Sequence, residues 1–273
     1  MSAGESSQPS RAATNELLRA AIVAAERAAD VIRAREADAA ALEWRAKSPT
    51  DFVSDVDTAA EGEIREVLAR LAPGAVVIAE EGSPDVTLGD APGFIVDPLD
   101  GTTNFLHGYP AYAVSIAVVE RGEVTAGVVV NVVSRDLFTA AAGQGAHRNG
   151  QPLRVSSLAE PSRALIGTGF PFKDPRLVPA YVRQLGTLLP HVSGVRRAGA
   201  AALDLADVAA GRFDAFWELT LMPWDFAAGL LLIREAGGVV TTLGGGEPPL
   251  RETAVVAGNP AMHRWLLDML VGA

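Results

Sequence analysis

The chain has 273 residues, 49% of them apolar, enough for one large domain or two modest ones with a substantial core, and this excludes wholesale disorder. A formal net charge of −10 with a pI near 4.9 argues against the broad basic surface of a nucleic-acid binder and leaves at most a local patch. There is no cysteine, which excludes disulfides, zinc–thiolate sites and cysteine nucleophiles and fits a cytoplasmic protein.

Met1–Ser10 is polar and lacks the apolar core of a secretory signal. No uninterrupted apolar stretch reaches the ~20 residues that span a bilayer, so no membrane partner is expected. Residues 1–12 read as a disordered tail, 13–160 as one half of the folded chain and 161–273 as the other, with Leu153–Pro161 as the boundary. From Ala13 the spacing of Leu17, Leu18, Ala21, Ile22, Ala25, Ala28, Ala29 and Ile32 predicts an amphipathic helix. Leu42–Ala46 reads as a short strand, followed by a polar, turn-rich stretch from Lys47 to Asp57. Ser54 and Asp57 have the spacing of a helix start, and the helix continues from Ala59 to Leu71 before Pro73-Gly74.

Ala75–Ala79 reads as a short buried strand that ends directly in Glu80-Glu81-Gly82. Ligand-presenting residues are often carried at the C-terminal ends of strands, which favours Glu80, while Glu81 reads as an ordinary loop residue. The next apolar run, Phe94-Ile95-Val96, delivers Asp97 and Asp100 into a turn, with Pro98 restricting the backbone between them and Gly101 opening a hydroxyl-rich segment. Such a pair could hold a hard divalent cation beside a phosphate, or could be ordinary turn and cap residues.

Tyr112–Val119, Val124–Val133 and Leu137–Ala142 then read as an antiparallel meander joined by tight turns. In the second half, Ala164–Thr168 reads as a strand, Pro175–Leu189 as a helix and Val195–Arg197 as a short strand. The small residues Ala198–Ala202 permit either close approach of a ligand or close packing of the following helix, Ala201–Ala210. Phe213–Leu219, with Glu218, reads as a strand. Pro223-Trp224-Asp225 opens an apolar helix in which Asp225 is also a plausible first-turn acid. Two strands, at Val239–Leu243 and Thr253–Ala257, and a terminal helix at Asn259–Val271 complete the pattern.

Taken together, Glu80, Asp97, Asp100 and Asp225 all stand at element ends, an all-oxygen set suited to Mg²⁺ or Mn²⁺. The motif Asp97-Pro-Leu-Asp-Gly-Thr-Thr-Asn-Phe105, with Glu80-Glu81 before it and Trp224-Asp225 after it, resembles the inositol monophosphatase family. Lys47-Ser-Pro-Thr-Asp51, Asp57, Gly199-Ala-Ala201 and Glu218 extend the match from about Thr14 to the C-terminus.

The resemblance implies an α+β fold, a layered αβαβα sandwich of the inositol monophosphatase and fructose-1,6-bisphosphatase type, often as a homodimer. It implies Mg²⁺-dependent, lithium-sensitive hydrolysis of a small phosphate monoester by a metal-activated water. Metal ligands would be the side chains of Glu80, Asp97, Asp100 and Asp225 and the Leu99 carbonyl, most of them in the first half. Gly101 and Thr102 would bind the phosphate; Thr102 and Glu80 would orient the attacking water, supported by Asp57. Asp100, Gly199, Ala201, Glu218 and Asp225 would bind the rest of the substrate. Thr103-Asn104-Phe105 favours inositol 1-phosphate, with broader sugar-phosphate, fructose-1,6-bisphosphate or histidinol-phosphate activity as the alternative. Ala200, where the family commonly has Ser or Thr, and the apolar Thr220-Leu-Met-Pro223 depart from the pattern. A regulatory, protein-binding role is the reading from another class of function.

Overall fold

Ser10 starts the first element: its Oγ accepts the Ala13 N–H at 3.2 Å and caps helix α1 (Arg11–Arg33), two residues ahead of the expected start. The computed structural model describes residues 10–37, 45–48, 51–83, 88–89 and 91–272. The expected tail therefore lies mostly outside the described residues. Ala20, Ala21, Ala24, Ala25, Ala28 and Ala29 line the buried face of α1, and side chains this small let it approach its neighbours closely.

The stretch after α1 differs from expectation. A hairpin of β1 (Arg45–Ser48) and β2 (Asp51–Val53) occupies part of the predicted polar loop, and residues 42–44 of the predicted strand lie outside the described residues. Strands of 4 and 3 residues are too short for an alternating pattern to stand out against polar neighbours. Helix α2 (Asp55–Leu71) begins with a capping box in which Ser54 and Asp57 bond reciprocally.

Strands β3 (Val76–Ala79), β4 (Gly93–Asp100), β5 (Ala113–Glu120), β6 (Glu123–Asn131), β7 (Leu137–Ala141), β8 (Ala146–Arg148) and β9 (Gln151–Pro152) form a seven-stranded sheet in sequential order. Within this sheet the β3–β4 pair is parallel and the other pairs antiparallel; β5, β6 and β7 form the predicted meander, which β4, β8 and β9 extend. The short helix α3 (Thr102–Leu106) lies between β4 and β5.

Alternation on β5 sends Val114, Ile116 and Val118 into the core shared with α1 and α2, and Ala113, Ala117 and Val119 into a second core on the opposite face. Full burial of a side chain such as Phe94 or Ile116 contributes about 1.5–3 kcal/mol.

The second half adds β10 (Leu165–Thr168), α4 (Val178–Leu188), β11 (Gly194–Arg196), α5 (Ala201–Ala209) and β12 (Ala215–Leu221). It is completed by α6 (Pro223–Glu235), β13 (Val239–Thr241), β14 (Thr253–Gly258) and α7 (Pro260–Val271). Its five strands order as β11-β10-β12-β14-β13. Helices α5 and α6 pack between the two sheets, and α4 and α7 cover the outer face of the smaller one. At Gly127 on β6 a Cβ would lie 2.8 Å from the Ala228 carbonyl oxygen, so α6 sits against backbone there. The layers are thus helix, sheet, helix, sheet, helix, the predicted sandwich.

Candidate active site

Strand β4 does more than the sequence suggests. It runs through Asp97 and Asp100 with all eight residues buried, rather than ending before them in a turn. Between these aspartates the pairing with β5 shifts: Asp97 faces Ser115 and Asp100 faces Ala113, so β4 carries one extra residue. Pro98 cannot donate to a ladder, and a bulge at this position re-aims the following side chain. Asp97 is 2% and Asp100 9% exposed, which makes their charges costly unless compensated.

Backbone donors hold these carboxylates in place. The Leu99 N–H donates to Asp97 Oδ1 at 3.0 Å, and the Ala202 N–H at the start of α5 donates to Asp100 Oδ2 at 2.8 Å. On α6 the Met222 N–H donates to Asp225 Oδ2 at 2.7 Å, so the helix cap fixes Asp225 as well. Asp225 is thus a cap and a cavity residue at once.

Glu80 stands just beyond β3, and the turn that carries it is tied to α2. Glu61, 5% exposed, accepts the N–H groups of Glu81 at 3.2 Å and Gly82 at 3.0 Å on Oε2 and Arg65 Nε at 2.7 Å on Oε1. Arg65 continues to Ser83 Oγ at 2.6 Å, and Ser83 donates to the Val77 carbonyl at 2.9 Å.

Gly101 adopts φ +91°, and a Cβ there would meet the Ala111 carbonyl oxygen at 2.8 Å; only glycine makes this turn without strain and without a clash. The turn aims Thr102 back at α2. Thr102 Oγ1 donates within 2.7 Å of Asp57 Oδ1 and 3.0 Å of the Leu99 carbonyl oxygen. Asp57, 1% exposed, also accepts the Ser54 N–H at 2.9 Å and the Ser54 hydroxyl at 2.6 Å on Oδ2. Asn104 donates to the carbonyls of Ala111 at 2.7 Å and Ala198 at 2.9 Å, joining this turn to the loop of Gly199.

All of these converge on a cavity of about 410 Å³ lined by Glu80, Asp97, Leu99, Asp100, Gly101, Thr102, Gly199, Ala201, Glu218 and Asp225. Every residue predicted to bind metal or substrate is therefore on its wall. Asp57 is not on it and reaches it through Thr102. The same wall holds Phe170, Phe172, Lys173, Arg197 and Asp204, which the sequence reading did not single out. Arg197 lies over the rings of Phe170 and Phe172, at 5.3 and 5.1 Å from their centroids.

Asp204 had a visible signal, a charged residue in the first turn of a mostly apolar helix. Glu61 also had one: it lies one helical turn after Asp57, on the same face of α2. Lys173 had none beyond its place in a proline-rich loop.

The electrostatics follow from this crowding. Burial, then the charges of Glu80, Asp100 and Asp225, raise the Asp97 carboxyl well above the usual range. Burial and then Asp225 push Asp100 up to about 8, although the N–H groups of Ala202 and Ala201 oppose the shift. Burial also raises Asp57, against the hydrogen bonds from Ser54 and Thr102. Lys173 Nζ is 4.0 Å from Glu80 Oε1, and its charge opposes the upward shift of Asp97.

Among the described residues no three acidic or histidine side chains already meet at coordination distance, as expected for like charges without a counterion. The donor set nevertheless fits a hard divalent cation, since it consists of buried carboxylates and one carbonyl with no sulfur or imidazole.

Residues 13–272 match the model of the inositol monophosphatase family. The chain belongs to that family. An inositol-1-monophosphatase of Rhizobium meliloti (strain 1021) is 45% identical over 229 residues, covering 84% of this chain and 86% of the relative. The protein named Nus factor SuhB of Salmonella typhimurium (strain LT2) is 42% identical over 251 residues, covering 92% of this chain and 94% of the relative. Among solved structures, extragenic suppressor protein suhB from Bartonella henselae superposes with a TM-score of 0.87 at 40% identity, covering 93% of this chain and 98% of that one. The sandwich and its two sheets are therefore those of the inositol monophosphatase family. No helix among the described residues is long and apolar enough to cross a membrane.

Proposed function

We propose that this member of the family is a Mg²⁺-dependent phosphomonoesterase, with Mn²⁺ as a possible substitute and inositol 1-phosphate as the favoured substrate. One observation carries the reading: Glu80, Asp97, Asp100 and Asp225, from three separate segments, share one cavity wall with Thr102. Their side chains and the Leu99 carbonyl would hold the metal. When bound, divalent cations reverse the local charge, make water a better nucleophile and stabilise charge on the leaving oxygen.

The protein's own part begins with Thr102. Asp57 accepts three donors, from the Ser54 backbone, the Ser54 hydroxyl and Thr102, an arrangement that suits the ionised carboxylate. With the Thr102 proton committed to Asp57, Thr102 Oγ1 presents a lone pair that can accept a hydrogen bond from the attacking water. Glu80, held by its turn, is the second acceptor for that water. The N–H groups of Gly101 and Thr102, at the open start of α3, would bind phosphate oxygens. Gly199, Ala201 and Glu218 would contact the alcohol half of the ester. Fructose 1,6-bisphosphate, other sugar phosphates and histidinol phosphate are the alternative substrates.

Phosphate release from inositol, sugar, histidinol and nucleotide phosphates, with Mg²⁺ and with chelator, tests the proposal. Mg²⁺-dependent release that lithium suppresses is expected; no release from any substrate would sink it. A second reading, that the chain serves as a protein-binding regulatory member of the fold, is favoured by the relatives named Nus factor SuhB. Lack of turnover together with specific capture of a protein partner would establish that role instead.

A further inference from the structure

Asp204 has no task in the scheme above. It sits in the first turn of α5, is 2% exposed, and yet forms part of the cavity wall. Among the described residues its side chain makes no hydrogen bond. A carboxylate that served only the helix dipole would not need burial, which strips it of water. The α5 terminus already has an anion, since its Ala202 N–H is given to Asp100.

Arg197 attracts Asp204 across the cavity but makes no ion pair with it among the described residues, its guanidinium resting instead on Phe170 and Phe172. Glu218 is a second carboxylate on the same side. Burial raises both carboxyls well above their usual range, and their oxygens remain hydrogen-bond acceptors. A neutral alcohol rich in hydroxyls would bring Asp204 the hydrogen-bond donors it lacks.

We propose that Asp204 is a specificity-determining residue that accepts a hydrogen bond from a hydroxyl of a polyol leaving group, acting beside Glu218. This rests on the phosphomonoesterase reading and narrows its substrate to polyol phosphates. A buried acceptor of this kind discriminates strongly, because an alcohol without a matching hydroxyl leaves it desolvated and unpaired.

The test compares inositol 1-phosphate and glycerol 2-phosphate, whose leaving groups carry hydroxyls, with p-nitrophenyl phosphate, whose leaving group carries none. Asp204→Ala should lower kcat/KM for the better polyol substrate roughly ten- to a hundredfold, mainly through KM. It should leave p-nitrophenyl phosphate within about twofold. Asp204→Asn, which keeps an acceptor of the same shape, should recover part of the loss. It should also melt no lower than wild type, because it replaces a buried carboxyl that has no hydrogen-bond donor with an uncharged group of the same shape.

Equal losses on both substrate classes, or none on either, overturn the inference. A wild-type enzyme that hydrolyses p-nitrophenyl phosphate but no polyol phosphate overturns it while leaving the metal-dependent phosphatase standing. Inactivity on all three substrates overturns both.

Discussion

The cavity wall has two parts built by different means. In the part formed by Asp97, Asp100 and Asp225, each carboxylate is held by a backbone N–H from the bulge or from a helix start, and Thr102 is locked to Asp57. In the other part, Phe170, Phe172 and Lys173 come from a loop, Arg197 is held by ring contacts, and Asp204 has no hydrogen-bond donor among the described residues. Backbone donors belong to the fold and do not change when side chains are exchanged; loop rings and unbonded acids do. On the proposed function, the chemistry stands on the rigid part of the wall and the choice of alcohol on the adaptable part.

The largest blow to the rigid part should be Asp100→Asn, which is expected to reduce turnover by roughly 10²–10³-fold or more. In chelator the same variant should be at least as stable as wild type. The Asp100 carboxyl is raised to about 8 in the folded protein, so its contribution to stability is fully present below the unfolded pKa and is lost as pH rises through about 8. Metal-free wild type should accordingly lose stability across that range more steeply than Asp100→Asn, and added Mg²⁺ should remove the difference. Parallel melting curves for the two proteins would contradict the electrostatic account.

Thr102→Ala comes next, with a fall in kcat of about 10²-fold and little change in KM, measured at saturating Mg²⁺. A change confined to KM would show that Thr102 binds substrate rather than orienting water. Glu61→Gln should weaken the hold on the Glu80 turn, raising the Mg²⁺ concentration for half-activation by about tenfold with kcat at saturation nearly intact. Were Mg²⁺ activation unaltered, the Glu61–Arg65–Ser83 link would be structural only.

The smallest effect is expected on the adaptable part. Phe172→Ala removes one of two rings under Arg197, a contact worth about 0.5–1 kcal/mol at an exposed site, so KM values should shift two- to fivefold and unequally among substrates. A uniform loss of kcat would place this loop in the chemistry and erase the contrast between the two parts.

Much of this was legible in one dimension where the signal is local. Capping residues announced α2 through Ser54 and Asp57. The Asp-Pro-Leu-Asp-Gly-Thr motif announced Asp97, Asp100 and Thr102, and the long apolar runs announced the meander. The hairpin at 45–53 was read mostly as loop because its strands are too short to show a period. The bulge in β4 was read as a turn because Asp-Pro and Asp-Gly serve both purposes, and only the register against Ser115 and Ala113 tells them apart.

By itself the sequence determined the family through its motifs, and through that resemblance the layered fold and the candidate acids, while periodicity and capping, written in residues a few positions apart, gave single elements. Tertiary structure alone decided that Glu61 holds the Glu80 turn and that Asp57 reaches the cavity only through Thr102. It also decided that Asp204 faces the cavity without a hydrogen-bond donor among the described residues. Those facts depend on which buried group a carboxylate meets across 20 to 100 positions of chain, and burial and partnership are properties of packing that no local pattern encodes.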